Sequence, residues 1–267
     1  MIERKEPKNE RNWPPERRRR AIAERLRVQG QGSVADLEQE FDVSAMTIRR
    51  DLRELERQGL ATRTHGGAIA PGLAAHEDSF VQRVNAEVEG KQRLAVAAAA
   101  LVEPGETVFI DSSSSAYYVA RQLISNGIPA SIVTNSLPVM QLFANTVASV
   151  ELTGVGGWLR TLTLSLVGPA AVRTIRDHFA DKLFLSIKGL TSDGSLTDPD
   201  PLECEVKRAM IERAEESVLL IQPSKLQERG SHLVGSCAEL SLVLGANLSA
   251  SQVKQLEGYR VKVRCVD

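Results

Sequence analysis

Apolar positions recur at helical spacing through roughly residues 17–69, whereas from Lys91 onward short unbroken apolar runs alternate with longer helical stretches, so the chain reads as two domains of different construction. Pro14-Pro15 opens a helix with Ile22 and Leu26 facing inward. Ser33 caps a second helix through Phe41, with Asp36 at its third position. Asp42-Val43 makes a tight turn, and Ser44 caps a third helix that runs to about Gln58 before Gly59 stops it. At about 100° per residue, Ile48, Leu52 and Leu55 share one narrow face of that helix, and Met46, Arg50, Arg53 and Arg57 point the opposite way. Leu60–Ala68 then reads as a strand and turn carrying Arg63 and His65.

In the second region Gln92–Leu101 is an alanine-rich helix ended by Glu103-Pro104-Gly105, and Thr107–Ile110 is a buried strand. Further strands are predicted at Ser131–Thr134, Val150–Leu152, Lys182–Ile187, Val218–Ile221, Leu240–Leu244 and Arg260–Val263, with helices between several of them. This alternation predicts an α/β fold with a mainly parallel sheet covered on both faces. The expected organisation is a disordered tail over 1–14, a winged helix-turn-helix over 15–70, a linker over 71–90 and an α/β domain over 91–267.

The whole-chain charge of −1 hides an asymmetry, since residues 1–70 carry 15 Lys+Arg against 12 Asp+Glu and the remainder 18 against 22. A weakly basic head on an acidic body fits a head that docks on DNA. The longest aliphatic run, Leu94–Val102, falls well short of the roughly twenty residues needed to span a bilayer. The first residues lack the apolar core of a signal peptide. Cys204, Cys237 and Cys265 have no metal-ligand spacing, which points to idle thiols in a reducing cytoplasm and to neither a zinc site nor a disulfide. The expectation is therefore a cytoplasmic protein with no metal, no cofactor and no membrane contact.

A short helix, a turn and a capped helix opening Ser-Ala-Met-Thr is the arrangement that places a helix N-terminus in the major groove of double-stranded DNA, where Thr47 meets phosphate and Arg50 reaches a guanine edge. A solvated basic face is the competing reading of the arginines, and the helical context outweighs it. In the α/β region, ligands collect beyond the carboxyl ends of strands. That rule selects Asp111-Ser112-Ser113-Ser114-Ser115, Thr134-Asn135-Ser136, Gly156-Gly157 and Lys188-Gly189, together with Glu205, Lys207 and Lys225, as candidates for holding an anionic ligand.

Val43-Ser44, Thr47-Ile48-Arg49-Arg50-Asp51-Leu52, Leu55-Glu56, Gly59 and His65-Gly66-Gly67-Ala68 together resemble the winged helix-turn-helix of the DeoR family of bacterial sugar-metabolism regulators. Asp111–Ala116, Val133–Ser136, Ser165–Gly168 and Glu205–Met210 resemble that family's sensor domain, whose fold is similar to pentose-phosphate isomerase. The resemblance covers about residues 17–245. It implies a repressor of carbohydrate-metabolism genes, working as a homo-oligomer (dimer or tetramer) on operator DNA and modulated by a phosphorylated sugar. It makes Ser44, Thr47, Arg49, Arg50 and Arg63 the DNA-contact candidates, with Met46 and Arg53 added by helix angle and His65 by the wing, while Asp51 stays off the DNA and orients an arginine. Departures from the family pattern at Ser113, Ser186-Ile187 and Gln222, with the extra cation Lys188, leave the sugar phosphate open. The alternative is a sugar-phosphate isomerase or transferase fused to a DNA-binding domain, with Asp111, Glu205, Lys207 and Lys225 as its acid/base set.

Overall fold

The computed structural model describes residues 13–29, 31–58, 60–63, 66–69, 77–144, 150–226 and 228–266. The chain divides after residue 76 into two compact units. The first contains α1 (Pro15–Gln29), β1 (Gln31–Ser33), α2 (Val34–Phe41), α3 (Ala45–Arg57), β2 (Thr62–Arg63) and β3 (Gly67–Ile69). Ser33 and Ser44 sit in extended backbone, and their hydroxyls accept from the N–H groups of Asp36 and Thr47, which fixes where α2 and α3 begin. Asp42 adopts a left-handed conformation at the end of α2 and turns the chain toward α3. Ile22, Leu26, Leu37, Phe41, Ile48, Leu52 and Leu55 are buried together as one core. β2 and β3 pair antiparallel, with β1 on the other edge of β3, so the unit is a winged helix-turn-helix.

Arg18 and Asp51 bind this unit internally. The Asp51 carboxylate is buried between Arg18 Nε at 2.6 Å and Arg19 at 3.5 Å, which ties α3 to α1. The expected tail is shorter at its inner end. Residues 1–12 lie outside the described residues, but the Trp13 ring packs edge-on against Phe41 at 5.3 Å between centroids.

The second unit runs α4 (Phe80–Asn85), α5 (Val88–Ala99), β4 (Thr107–Ile110), α6 (Ser114–Asn126), β5 (Ser131–Thr134), α7 (Leu137–Ala144), β6 (Glu151–Gly154), β7 (Trp158–Arg160), β8 (Ser165–Val167), α8 (Pro169–Arg176), β9 (Ala180–Leu185), β10 (Gly189–Leu190), β11 (Ser195–Asp198), α9 (Pro201–Arg213), β12 (Ala214–Ile221), β13 (His232–Ser236), β14 (Leu242–Ala246), α10 (Ala250–Glu257) and β15 (Lys262–Val266). Seven strands form one sheet in the order β15-β14-β12-β9-β4-β5-β6, and every neighbouring pair is parallel. Alternate residues of the central strands feed two cores. Phe109, Leu183, Leu185, Leu219 and Ile221 pack on one side with α8, α9 and α10, while Val108, Ile110, Phe184, Val218 and Leu220 pack on the other with α5 and α6.

The structure shortens the expected linker over 71–90 at its inner end. Residues 77–90 belong to the α/β unit and form α4 and the start of α5, with Ser79 closing a capping box on Gln82 and Phe80 buried. The polar composition of that segment reflects a cavity wall. Two small antiparallel pieces were also outside the expectation, the β7–β8 hairpin and the β10-β11-β13 sheet.

The order of the main sheet determines where a ligand would sit. From β4 the chain moves outward through β5 and β6, then returns across β4 to β9 and continues outward through β12, β14 and β15. The loops leaving β4 and β9 therefore diverge, opening a crevice at their carboxyl ends.

Candidate functional site

On the first unit, the exposed side of α3 presents Arg49, Arg50 and Arg53, none of them ion-paired among the described residues, beside Met46 at 72 % exposure. Ser44 Oγ lies 3.1 Å from the Thr47 hydroxyl at the helix start, leaving both polar groups at the surface end of the dipole. Arg63 is exposed on β2 and anchored by Glu56, whose carboxylate accepts from its Nε at 2.8 Å and its backbone N–H at 3.2 Å. His65 lies outside the described residues. Asp51 faces inward on Arg18, so its task is to position α1 against α3. Arg57, on the basic face by helix angle, is engaged by Glu54 at 2.7 Å.

On the second unit, a cavity of about 330 Å³ opens at the carboxyl ends of β4, β9 and β12. Four sequence candidates from the first loop line it, Ser112, Ser113, Ser114 and Ser115, and so do Lys188, Lys207 and Lys225. Ser113 Oγ caps α6 by accepting from Ala116 N–H, and Ser114 and Ser115 form the first turn of that helix at the cavity wall. Asp111 lies just beneath, accepting from Ser113 N–H at 2.9 Å and Ser186 N–H at 3.2 Å and pairing with Lys207 Nζ at 2.5 Å. Asp198 completes this buried triad at 3.3 Å from Lys207. Burial opposes the ammonium charge of Lys207, but the two carboxylates outweigh it and raise the pKa. Burial raises that of Asp198 despite Lys207.

Several candidates are not part of this cavity. Thr134, the last residue of β5, and Asn135 and Ser136 just after it are buried, with the Thr134 hydroxyl donating to Ile110 O at 2.7 Å and Asn135 Nδ2 donating to Leu166 O at 3.1 Å. They brace β8 against the main sheet. Gly156 and Gly157 are exposed in the turn leading to β7, with Gly157 at φ 146° passing close under Val167 O. Gly189 is buried in β10, where a Cβ would meet Glu228 O at 1.9 Å, so its glycine serves a close backbone approach. Glu205 is exposed on α9, and the carboxylate that lines the cavity from that helix is Glu203. Glu203 accepts from Thr163 Oγ1 at 2.9 Å, Arg160 at 3.0 Å and Ser112 Oγ at 3.1 Å, and also from Ser165 Oγ. Burial disfavours its charge, yet Arg160 and the hydroxyls hold its pKa below the usual carboxylate range.

Sequence reasoning missed the wall supplied by residues 77–91. Glu77 and Asp78 just before α4, Arg83 on it, Glu87 at the N-cap of α5 and Lys91 in its first turn line the cavity. Arg83 places Nε and one terminal nitrogen in buried positions with no hydrogen-bond partner among the described residues. Lys91 donates to the carbonyls of Arg83 and Ala86, and its pKa is pushed down to about 8 by burial, with Lys225 and Arg83 adding repulsion and Glu87 opposing. Lys225 is likewise lowered, first by burial and then by Lys188 and Arg83, against the pull of Glu228. Arg83, Lys91, Lys188 and Lys225 thus share a small volume that carboxylates also line, among them Glu228, which pairs with Lys188 Nζ at 2.7 Å. Among the described residues no cluster of His, Cys, Asp and Glu suits a metal ion, and no helix is long and apolar enough to cross a membrane.

Comparison with known proteins bears on both units. Residues 18–72 match the family model of the DeoR-like helix-turn-helix domain, and residues 86–245 that of the DeoR C-terminal sensor domain. The chain is 34% identical over 229 residues to the glycerol-3-phosphate regulon repressor of Escherichia coli, covering 85% of this chain and 88% of that protein. It is 35% identical over 250 residues to the transcriptional regulator GlpR of Haloferax volcanii, covering 93% and 97% of the two chains. The uncharacterized transcriptional regulator YulB of Bacillus subtilis is 31% identical over 250 residues, covering 93% and 96%. Among solved structures, ribose 5-phosphate isomerase A from Methanocaldococcus jannaschii matches 53% of this chain and 55% of its own at 16% identity and a TM-score of 0.39.

Proposed function

Because the chain belongs to the DeoR family of DNA-binding transcriptional regulators, we propose that it is a repressor of carbohydrate-metabolism genes whose hold on operator DNA is set by a phosphorylated sugar or polyol in the cavity of the α/β unit. The observation that carries this reading is the pair of buried, unpartnered Arg83 donors beside Lys91 and Lys225. A phosphate group would satisfy those donors with charge-assisted bonds. The serine hydroxyls of the loop after β4, on the same cavity, suit the hydroxyls of a polyol. Titration calorimetry with sugar phosphates and their dephosphorylated parents tests this directly, and equal affinity for both would end the phosphate assignment.

An enzymatic reading finds less support. Asp111 is committed to Lys207 and two backbone N–H groups, and Glu203 to Arg160 and three hydroxyls, so neither carboxylate is poised for proton transfer. Glu205, Lys207 and Lys225 do not converge as an acid/base set, since Glu205 faces away from the cavity. Product formation from pentose or hexose phosphates would overturn this view. The protein is expected to act in the cytoplasm, as a homo-oligomer, because a single winged helix buries little DNA and paired heads raise affinity without new contacts.

The affinity of the cavity for a phosphate ester should fall as pH rises through about 8. Lys91 is charged below that value and neutral above it, and a dianion favours the charged form. The ligand's own second ionisation, near pH 6, is complete over this range, so the change belongs to the protein. Calorimetry from about pH 7 to about pH 9.5 reads the slope; a level profile would place Lys91 outside the binding set. On the DNA side, Arg50→Ala should weaken operator binding by about 1–3 kcal/mol and relax preference at one base position. Anisotropy titrations with single-base operator variants check this, and an unaltered preference would mean that Arg50 reads no base.

A further inference from the structure

The first residues of the α/β unit enter its cavity as anions. The Glu77 carboxylate is gripped by both terminal nitrogens of Arg160, at 3.1 and 2.8 Å, and Asp78 lies 3.9 Å from Lys188 Nζ. Phe80 N–H donates to Leu162 O at 2.8 Å, so the start of this segment is fastened to the turn of the β7–β8 hairpin. Its far end is fastened by Lys91, which donates to the carbonyls of Arg83 and Ala86. Between the two fastenings Arg83 buries two nitrogens that have no hydrogen-bond partner among the described residues. Arg160 is shared by Glu77, Asp200 and Glu203, three carboxylates for one guanidinium. In the sequence, only residues 70–76 separate this segment from Ile69, the last residue of β3 in the winged helix-turn-helix.

We propose that residues 77–86 form the coupling strap of this regulator, in which Glu77 and Asp78 are tethered anions that oppose an incoming phosphate. The proposal rests on the phosphorylated-ligand reading above. Lys188 Nζ is held by Glu228 at 2.7 Å with Asp78 farther off at 3.9 Å, so a phosphate entering beside Lys188, Lys225 and Arg83 takes Asp78's place near Lys188 and repels both Glu77 and Asp78, while offering a partner to the Arg83 nitrogens that have none among the described residues. The strap is thereby loosened at its Arg160 end and drawn in at Arg83. By linkage, whatever factor the ligand takes from the strap's hold, the strap takes from ligand affinity. The strap continues directly into the segment leading to the DNA-binding unit, so its displacement is the covalent route by which occupancy reaches the head. Sequence alone gives it no signature, since a run such as Glu77-Asp78-Ser79 reads as an ordinary polar linker.

The experiment uses the full chain and its Asp78→Asn and Glu77→Gln variants, singly and together. Calorimetry with glycerol 3-phosphate, ribose 5-phosphate, fructose 6-phosphate and inorganic phosphate gives affinity, and operator titration with and without saturating ligand gives coupling. Asp78 is 56 % exposed, so Asp78→Asn is expected to fold normally. Removing its charge should tighten phosphate-ester binding about fivefold, the effect of a unit charge on a dianion about 8 Å away at a water-like permittivity of about 80. The double variant should tighten further and reduce the ligand-induced change in operator affinity by about threefold or more. Affinity unchanged in all variants, or affinity raised with coupling intact, would overturn the strap. A wild-type chain that binds none of the four probes would instead remove the phosphorylated-ligand reading and the strap with it.

Discussion

Replacing Asp51 with alanine should destabilise the winged helix-turn-helix by about 3–5 kcal/mol and eliminate operator binding, although Asp51 touches no DNA in this reading. The Arg18 side chain is as buried as its partner, with Nε 2.6 Å from the carboxylate and one terminal nitrogen donating to Trp13 O at 2.9 Å. Without Asp51, that guanidinium keeps its desolvation cost and loses the charge that offsets it. A unit of this size holds only a few kcal/mol in reserve, so the loss is enough to unfold it. The damage should be specific to the pair. Arg18→Met combined with Asp51→Leu replaces the ions with apolar volume and should recover most of the stability, while Arg18→Met alone should resemble the single aspartate variant. Amide hydrogen exchange in α1 and α3 of the full chain, together with operator titration, measures both effects. Protection in the alanine variant equal to wild type would show that the pair is incidental.

This pair also marks the limit of what the sequence discloses about the head. The caps at Ser33 and Ser44, the stop before residue 59 and the buried stripe Ile48-Leu52-Leu55 are local properties, and local rules place them well. Which of Arg17–Arg20 turns inward is not a local property. It depends on where α3 crosses α1, and the structure chooses Arg18 because Asp51 faces it there.

The same division holds in the α/β unit. All seven strands of the parallel sheet overlap strands read from the sequence; the five inner ones are buried and leave near-continuous apolar runs, while the edge strands β6 and β15 mix polar and apolar residues. The hairpin over Trp158–Val167 and the small sheet containing Ser195–Asp198 and His232–Ser236 are short and rich in Ser, Thr and Gly, so they leave no such run. The serine loop after β4 and the cations at 188, 207 and 225 follow from the strand-end rule. Residues 77–91 do not, since they precede the first strand and no rule about strand ends reaches them. Glu203 was passed over for Glu205 because helical spacing alone leaves the orientation of α9 open. At about 100° per residue Glu203 and Lys207, four residues apart, share one side of α9 and Glu205 falls on the opposite side from them; packing, not spacing, decides that the Glu203–Lys207 side meets the cavity.

The test with the greatest expected effect on signalling follows from that corrected site. Ser114→Asp should abolish the response to a phosphorylated ligand while leaving the fold intact, giving a repressor that ligand cannot release. Ser114 is the first residue of α6, where an added carboxylate is favoured by the helix dipole and should not weaken the helix. The side chain lines the cavity, so the new charge sits where the phosphate is placed in this reading. Within such a partly buried volume, like charges a few ångströms apart cost several kcal/mol at an effective permittivity of about 20, which corresponds to a loss of affinity of about 100-fold or more. Arg83→Ala should act in the same direction through the opposite cause, removing charge-assisted bonds worth about 1.5–3 kcal/mol each to a ligand phosphate. The two variants separate site from fold, because one adds an anion at a helix start that tolerates it and the other removes a cation with two buried nitrogens that have no partner among the described residues. Operator titration across a ligand series measures both. Wild-type release at wild-type ligand concentrations in either variant would show that the phosphate lies elsewhere, and the cation cluster would then need another explanation.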